Sequence, residues 1–351
     1  MTLALHVDLD VFSRNLARIR GILGDTEHLL VVKDDAYGHG LGPIVRRAWM
    51  EGVRWFGAFD LATGLAVRHA LPDGGSAFAR VFVWMLGSRA EAKAAAKAAL
   101  DIGVGDPELL EDVAAVGHGV RVHLKIDTGL HRNGVRPEHW AAFVERAVAH
   151  ERAGSIRIEG VWSHLAEASD EEDDTARAAF EAAADELDAV LGRHALRHLS
   201  ASAASFARPE FRFDLARVGA FAYGIRPAGG PDQSQLRIRP IGRLEADVVE
   251  RRGDAVVVPV GSLHGLPSTL GAFEVATERG PHVLGPLGET ESLIRSDVLR
   301  IGDHVVIYGT ADAGGASATD LAERIGTVGE EIAVRISPLV PRVYSGVRPL
   351  R

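Results

Sequence analysis

The sequence predicts an α/β fold: an N-terminal (β/α)8 barrel of the TIM type followed by a mostly β C-terminal domain. Two observations predict the barrel. In the first two-thirds of the chain, short apolar runs alternate with helix-like stretches of 10–20 residues, the signature of parallel β-α units. With two weaker runs near Leu100 and Leu199, the strands number about eight, which suits a closed barrel better than an open sheet. A third observation predicts the second domain: after about Gln235 the pattern turns to β-runs with hardly any helical period.

Taken in order, the barrel strands are HLLVVK (28–33), WFGAFD (55–60), VFVWML (81–86), VRVHLKID (120–127), IRIEGVWSH (156–164) and ARVGAFAYG (216–224). Helical patterns lie between them: GPIVRRAWMEG, LATGLAVRHAL, EHWAAFVERAVAH and the Ala/Glu-rich run from Asp174 to Leu191. GGPDQSQ (229–235) is the natural connection, so the domains are set at 1–234 and 235–351. Beyond it, RLEADVVERRGDAVVVPVG reads as two β-runs joined by Arg-Gly-Asp. VLRIGDHVVIYG and EIAVRISPLV read as further strands, with one short helix, ATDLAERIG, between them.

Composition excludes several functions. The 351 residues contain no cysteine, so there is no disulfide scaffold, thiolate metal site or thiol nucleophile. With 39 Lys+Arg against 48 Asp+Glu the net charge is −9, which disfavours nucleic acid or an anionic membrane as partner. The opening MTLALHVDLDVFSRN carries acidic residues where a signal peptide would stay apolar. No uncharged run approaches the roughly 20 residues that cross a bilayer. A soluble, cytoplasmic protein is expected, with a small molecule as its ligand and no metal site.

The most informative segment is VVKDDAYGHG, residues 31–40. Lys33 ends an apolar strand and precedes a Gly-containing turn into a helix. Catalytic groups of barrels sit at the C-terminal ends of strands. A lysine desolvated there loses basicity and can form a Schiff base with an aldehyde. The plainer reading is a strand-end lysine whose stem is buried and whose ammonium reaches water.

VVKDDAYGHG resembles the cofactor-lysine signature of the alanine racemases, barrel-type enzymes dependent on pyridoxal 5′-phosphate (PLP), whose usual form is K-x-N-A-Y-G-H-G. Further segments match in order: HVDLDVFSRN, KIDTGLHRNGV (125–135), VWSHLAE (161–167), HLSASAA (198–204), RVGAFAYGIRP (217–227), GDHVVIYG (302–309) and RISPLVPRVY (335–344). The resemblance implies that Lys33 holds the cofactor and handles the Cα proton on the D side. Tyr37, Ser202 and the backbone N–H groups of Gly219 and Ala220 would cradle its phosphate. Arg217 would face the pyridine nitrogen, keeping it unprotonated because guanidinium holds its own protons. Arg132 would bind the cofactor's phenolic oxygen and the substrate carboxylate, and Lys125 matches a position where a lysine carbamate orients that arginine. His164 would stand between Arg217 and the second base. Each has a plainer reading: core aromatic for Tyr37, helix cap for Ser202, turn residues for 219 and 220, loop charge for Arg132, surface lysine for Lys125, core histidine for His164. The family also implies that the first strand joins the C-terminal domain, and that a head-to-tail homodimer places that domain over the partner's barrel mouth.

The chain departs from the family where the second base should be. Racemisation needs bases on opposite faces of a planar intermediate, and the family supplies a tyrosine within G-Y-x-D-G. Here the matching stretch is VPVGSLHG (258–265), with Ser262 in the tyrosine's place and no Tyr between Tyr223 and Tyr308. His264 is the candidate for a displaced base, against the plainer reading of a solvated loop histidine. Glu289-Thr290 stands where the family's Met-Asp shapes the substrate pocket, Glu330 where a phosphate-holding tyrosine is expected, Ala201 before Ser202 and Asp35 before Ala36 in place of asparagines. The implied function is a PLP-dependent isomerase of the alanine racemase type, acting on alanine or a related amino acid in D-amino acid metabolism, with weakened or altered activity. Two alternatives stay open: a one-base PLP reaction (elimination, aldol cleavage or decarboxylation), and a PLP-binding protein without catalysis.

Overall fold

The computed structural model describes residues 3–72, 74–166, 169–199, 201–309 and 315–347. The chain begins with β1 (Leu3–Asp8) and a helix, Leu9–Leu23. Eight parallel strands follow: β2 (Glu27–Val31), β3 (Trp55–Asp60), β4 (Arg80–Met85), β5 (Asp101–Val104), β6 (Val120–Lys125), β7 (Ile156–Trp162), β8 (Leu196–His198) and β9 (Leu215–Val218). Their order is β8-β7-β6-β5-β4-β3-β2-β9. The ends meet just before β9, where Asp214 N–H donates to the Arg197 carbonyl at 3.2 Å. This is a nearly closed (β/α)8 barrel.

The local reasons are legible. Strand residues such as Leu29, Phe56, Phe82, Ile102, Val122 and Ile158 are fully buried, as parallel strands covered on both faces require. Four junctions after strands share one device, an Asp or Ser whose side chain accepts an N–H of the helix's first turn. Asp60 caps Leu61–Ala70, Ser88 caps Arg89–Lys97, Asp106 caps Pro107–Val116 and Ser169 caps Asp170–Leu191. The run expected over 216–224 is shorter: β9 ends at Val218 and Ala220–Tyr223 form a 3-10 turn, closed by Gly224 at φ 71°.

The second sheet contains β10 (Gly242–Asp247), β11 (Glu250–Arg252), β12 (Ala255–Val258), β13 (Phe273–Thr277), β14 (Gly280–Leu284), β15 (Ser292–Arg295), β16 (His304–Tyr308) and β17 (Arg342–Ser345). Its order is β11-β12-β15-β14-β13-β16-β10-β1-β17, with β1 antiparallel to β10 and parallel to β17. The Arg-Gly-Asp segment is the hairpin between β11 and β12. One expected strand is a helix: the EIAVR of EIAVRISPLV lies in the helix Gly329–Arg335. Its apparent alternation hides a helical stripe, because Ile332, Ala333 and Ile336 are the buried residues.

The chain sorts into two compact units. One is Met1–Ile19, Asp34–Glu51 and Ala220–Arg351, and the other is Arg20–Lys33 and Gly52–Gly219. A single cut at 234/235 therefore does not describe them. The pairing of β1 draws the N-terminus into the first unit. Tight contacts draw in the segment after Lys33: a Cβ on Gly38 would meet the Ala333 carbonyl at 2.5 Å, and one on Gly40 would run into the Tyr344 hydroxyl.

Candidate active site

In the barrel unit, the sequence-predicted groups fall at the C-terminal ends of strands. Lys33 follows β2, Lys125 ends β6, His164 follows β7, Ser202 follows β8, and Arg217 and Gly219 lie on and after β9. Arg217 is the organising group. It is buried, and four of its five N–H bonds are taken by neutral acceptors. Nη1 meets the His198 carbonyl at 2.9 Å and His198 Nδ1 at 3.2 Å. Nη2 meets the carbonyls of Ser163 at 2.7 Å and Leu199 at 2.9 Å, and His164 Nδ1 at 3.0 Å. The fifth, on Nε, has no hydrogen-bond partner among the described residues. Burial pulls Arg217 down to about 9, which still leaves it cationic at neutral pH.

His164 is held neutral. Burial, then Arg217, Arg132, Lys125 and Lys33, lower it to about 3. Because arginine cannot accept a hydrogen bond, Nδ1 of His164 is the acceptor and its proton sits on Nε2. Lys125 is buried with its Nζ 4.4 Å from the Trp162 ring centroid. Burial, Arg217 and Arg132 bring it down to about 8, against the opposing pull of Asp127. Asp127 in turn shapes the loop carrying Arg132, accepting from the N–H groups of Gly129 and His131 and pairing with the His131 ring at 2.9 Å. Four cationic side chains thus act on one imidazole, a field that draws in a phosphate or carboxylate. The Ser202 hydroxyl accepts the Gly219 N–H at 3.2 Å, so two members of the expected phosphate cradle are neighbours.

Trp162 escaped the sequence reading. Its ring lies under Lys125, 5.3 Å from the Arg217 guanidinium carbon and stacked on His198 at 5.9 Å. The signal was its place beside His164 in VWSHLAE. His198, also missed, opens the quoted HLSASAA.

In the second unit, Tyr37 is buried and its ring lies 4.7 Å from that of Tyr223 at the end of the turn begun by Ala220. Burial raises its hydroxyl well above the ordinary tyrosine range, and Glu330 adds to that rise. The carboxylate at 330 is therefore an electrostatic neighbour of Tyr37. Asp35 accepts the Leu41 N–H at 2.7 Å and so starts the helix Leu41–Met50. Ser262 and Glu289 are brought together: the N–H groups of Ser262 and Leu263 donate at 2.9 Å to the carbonyls of Gly288 and Glu289. His264 accepts the Gly261 N–H on Nδ1 at 3.1 Å. In the neutral ring that is the only lone pair, so His264 is a poor base where it stands.

The donor set fits a phosphorylated aromatic aldehyde. A strand-end lysine, a guanidinium with one N–H to spare, a hydroxyl beside a backbone N–H and a cationic mouth would each find a counterpart on PLP.

Known proteins agree. The model of the alanine racemase N-terminal domain matches residues 7–227. The alanine racemase of Beutenbergia cavernae is 34% identical over 97% of this chain and 97% of its own. That of Thermobifida fusca is 32% identical, again over 97% of each. Among solved structures, alanine racemase from Streptomyces coelicolor superimposes with a TM-score of 0.92 at 28% identity, covering 99% of this chain and 98% of that one. The ordered motifs, the barrel with its second sheet and this full-length likeness together establish that the chain belongs to the alanine racemase family.

Proposed function

We propose that this isomerase is a PLP-dependent racemase of the alanine racemase type, acting on alanine or a related amino acid, with its two catalytic faces unequally equipped. The observation that carries the cofactor is the arrangement at Arg217: a buried cation saturated by neutral acceptors, one N–H left over, at a mouth ringed by Lys33, Lys125, Arg132 and His164. PLP bound there would supply the electron sink that makes an amino acid's Cα–H acidic. Lys33 would hold it and move the Cα proton on the D face. Arg217 would face its ring nitrogen without surrendering a proton, and Ser202, Gly219 N–H, Ala220 N–H and Tyr37 would take its phosphate. Arg132 would orient the substrate carboxylate. Lys125, lowered to about 8, has about a tenth of its amine free at pH 7. That is the form that takes up carbon dioxide, and a carbamate there would turn its contact with Arg132 from repulsive to attractive. A head-to-tail homodimer, with the Ser262–His264 turn over the partner's barrel mouth, and a cytoplasmic location complete the reading. No described helix is long and apolar enough to cross a membrane.

Borohydride reduction and peptide mapping should place a pyridoxyl group on Lys33. A label elsewhere, or none, would overturn the proposal. Ser262 and the engaged lone pair of His264 favour a one-base reaction as the second reading. An amino-acid panel in heavy water separates the two, since one-base chemistry exchanges the Cα proton without inversion.

A further inference from the structure

A line of buried polar side chains leads from Arg217 across the interior of the barrel to residues not yet given roles. It starts at Arg217 on β9, passes through His198 on β8 and His123 on β6, and reaches Asp101, the first residue of β5. His198, His123 and Asp101 are each fully buried. Barrel interiors are ordinarily filled with branched apolar side chains, and buried polar groups are costly unless matched. Here the matching has a direction.

Arg217 has only donors, so His198 Nδ1, 3.2 Å away, must accept. The His198 proton therefore sits on Nε2, which lies 2.9 Å from His123 Nδ1. His123 Nδ1 accepts in turn, which leaves its proton on Nε2, 3.6 Å from Asp101 Oδ2. That distance exceeds a hydrogen bond, and Nε2 has no other partner among the described residues. It is a charge–dipole contact. Asp101 is fixed as an anion by Arg80 Nε at 2.8 Å and Arg121 Nε at 2.5 Å, and Arg80 also reaches Glu159 at 3.1 Å. Phe82 flanks both imidazoles, at 5.0 Å from His123 and 5.3 Å from His198, and Trp162 stacks on His198. In such apolar surroundings each polar contact is stronger than in water. One cation at one end and one carboxylate at the other thus polarise two imidazoles in the same sense. Among the described residues, none of the hydrogen-bond partners of Arg217 is a carboxylate.

We infer that Asp101 and His123 are positioning residues for Arg217, holding His198 in the tautomer that accepts from the guanidinium from the opposite end of the barrel strands. This rests on reading Arg217 as the group that faces the cofactor's ring nitrogen. If Asp101 loses its charge, or His123 its acceptor nitrogen, Arg217 alone upholds the preference of His198 for Nε2–H, and that preference weakens. The competing tautomer points Nδ1–H at Arg217.

The test begins with apoprotein labelled with nitrogen-15 in histidine. Long-range proton–nitrogen correlation should show both His198 and His123 as Nε2–H tautomers. In His123→Leu the His198 signature should change, whereas His123→Asn, whose amide oxygen can accept in place of Nδ1, should largely restore it. Asp101→Asn should move the His123 signals. In the holoenzyme, Asp101→Asn and His123→Leu should lower the Cα exchange rate of D-alanine by about 10–100-fold, as losses of groups that orient a functional residue from behind do. KM should be unchanged, and His123→Asn should recover most of the rate. Should Asp101→Asn fail to fold, the two His123 variants decide alone. An Nδ1–H tautomer at His198 in the wild type, or an unchanged His198 signature and rate in His123→Leu, would overturn the inference. Lys33 unlabelled by borohydride, with both tautomers as expected, would instead overturn the cofactor reading and leave the relay standing.

Discussion

In the proposed reading, Ser262 is where the chemistry of this chain would part from its family. On the face that Lys33 would serve, a primary amine would be available to move a proton. On the other, a serine hydroxyl cannot hold negative charge usefully near neutral pH, and His264 spends its lone pair on the Gly261 N–H. Losing one member of an acid–base pair costs about 10²–10⁴-fold in rate. Alanine racemisation should therefore be weak. Cα exchange in heavy water should be much faster for D-alanine than for L-alanine, with retention. Wild type, His264→Ala and Ser262→Tyr should be compared. The asymmetry should persist in the first variant and shrink in the second, and equal exchange of both enantiomers in His264→Ala would point to an unidentified base, with Glu289 beside Ser262 the next candidate. The strand-end positions of Lys33, Arg217, His164 and Lys125 were legible because each lies in a contiguous motif. Asp101, His123 and Trp162 were not, because a lone polar or aromatic residue in an apolar strand gives no sign of partners on other strands.

The segment after Lys33 shows what an element can hide. The sequence there predicts a turn into a helix. The turn and the helix Leu41–Met50 are both present, and the turn has Asp34, Asp35, Ala36 and Tyr37 all left-handed, with φ between 53° and 55°. Left-handed helical backbone costs L-residues about 1–2 kcal/mol each, and none of the four is glycine, so nothing in the letters marks the turn. Strain of this kind persists only where the surroundings enforce it, and it concentrates at functional sites. Here it aims the chain leaving Lys33. The enforcement comes from contacts that were visible only as YGHG. Gly38 N–H closes the turn onto the Asp34 carbonyl at 2.8 Å, Gly40 N–H donates to the Asp35 carbonyl at 3.0 Å, and the Tyr344 hydroxyl donates to the His39 carbonyl at 3.0 Å. Gly40 has φ 91°, with the Tyr344 hydroxyl in the way of any Cβ. Gly40→Ala should thus destabilise by more than about 1 kcal/mol. Combining it with Tyr344→Phe should recover part of the loss, giving a nonzero coupling in a double-mutant cycle by urea denaturation. Strict additivity would show that the two residues do not meet. The regular elements were easier to read, since buried runs of four to seven residues followed by Asp or Ser caps repeat along the barrel. EIAVR was misread because alternation and a short helical stripe look alike over five residues.

At the scale of the whole molecule, the buried histidines set a limit on acid stability. Burial lowers His28 to about 4, aided by Arg20 and opposed by the Val218 carbonyl, and lowers His39 to about 4. It takes His164 to about 3 and His198 well below the ordinary value. In the unfolded chain each would titrate near 6.5. Between about pH 4 and 6.5 the unfolded state therefore binds more protons than the folded one, and stability falls as pH falls through that window. At pH 5 the loss is about 2 kcal/mol for each of His28, His39 and His164, or about 6 kcal/mol for the three, against a typical total of about 5–15 kcal/mol. Asp101, held at about 2 by His123, Arg80 and Arg121 against the opposing effect of burial, loses its contribution only at lower pH and does not shape this window. His194, raised by Asp214, acts in the opposite sense, but it is exposed and its pair is screened. His28 tests the argument most cleanly. Its Nδ1 has no partner among the described residues, and its Nε2 is 3.5 Å from the Val218 backbone carbonyl. Urea unfolding at pH 7.5 and pH 5.0 should show wild type losing about 2 kcal/mol more than His28→Leu across that interval. Equal losses would mean that His28 takes up its proton without leaving the fold, and that the acid sensitivity of the barrel resides in the histidines of the Arg217 cluster alone.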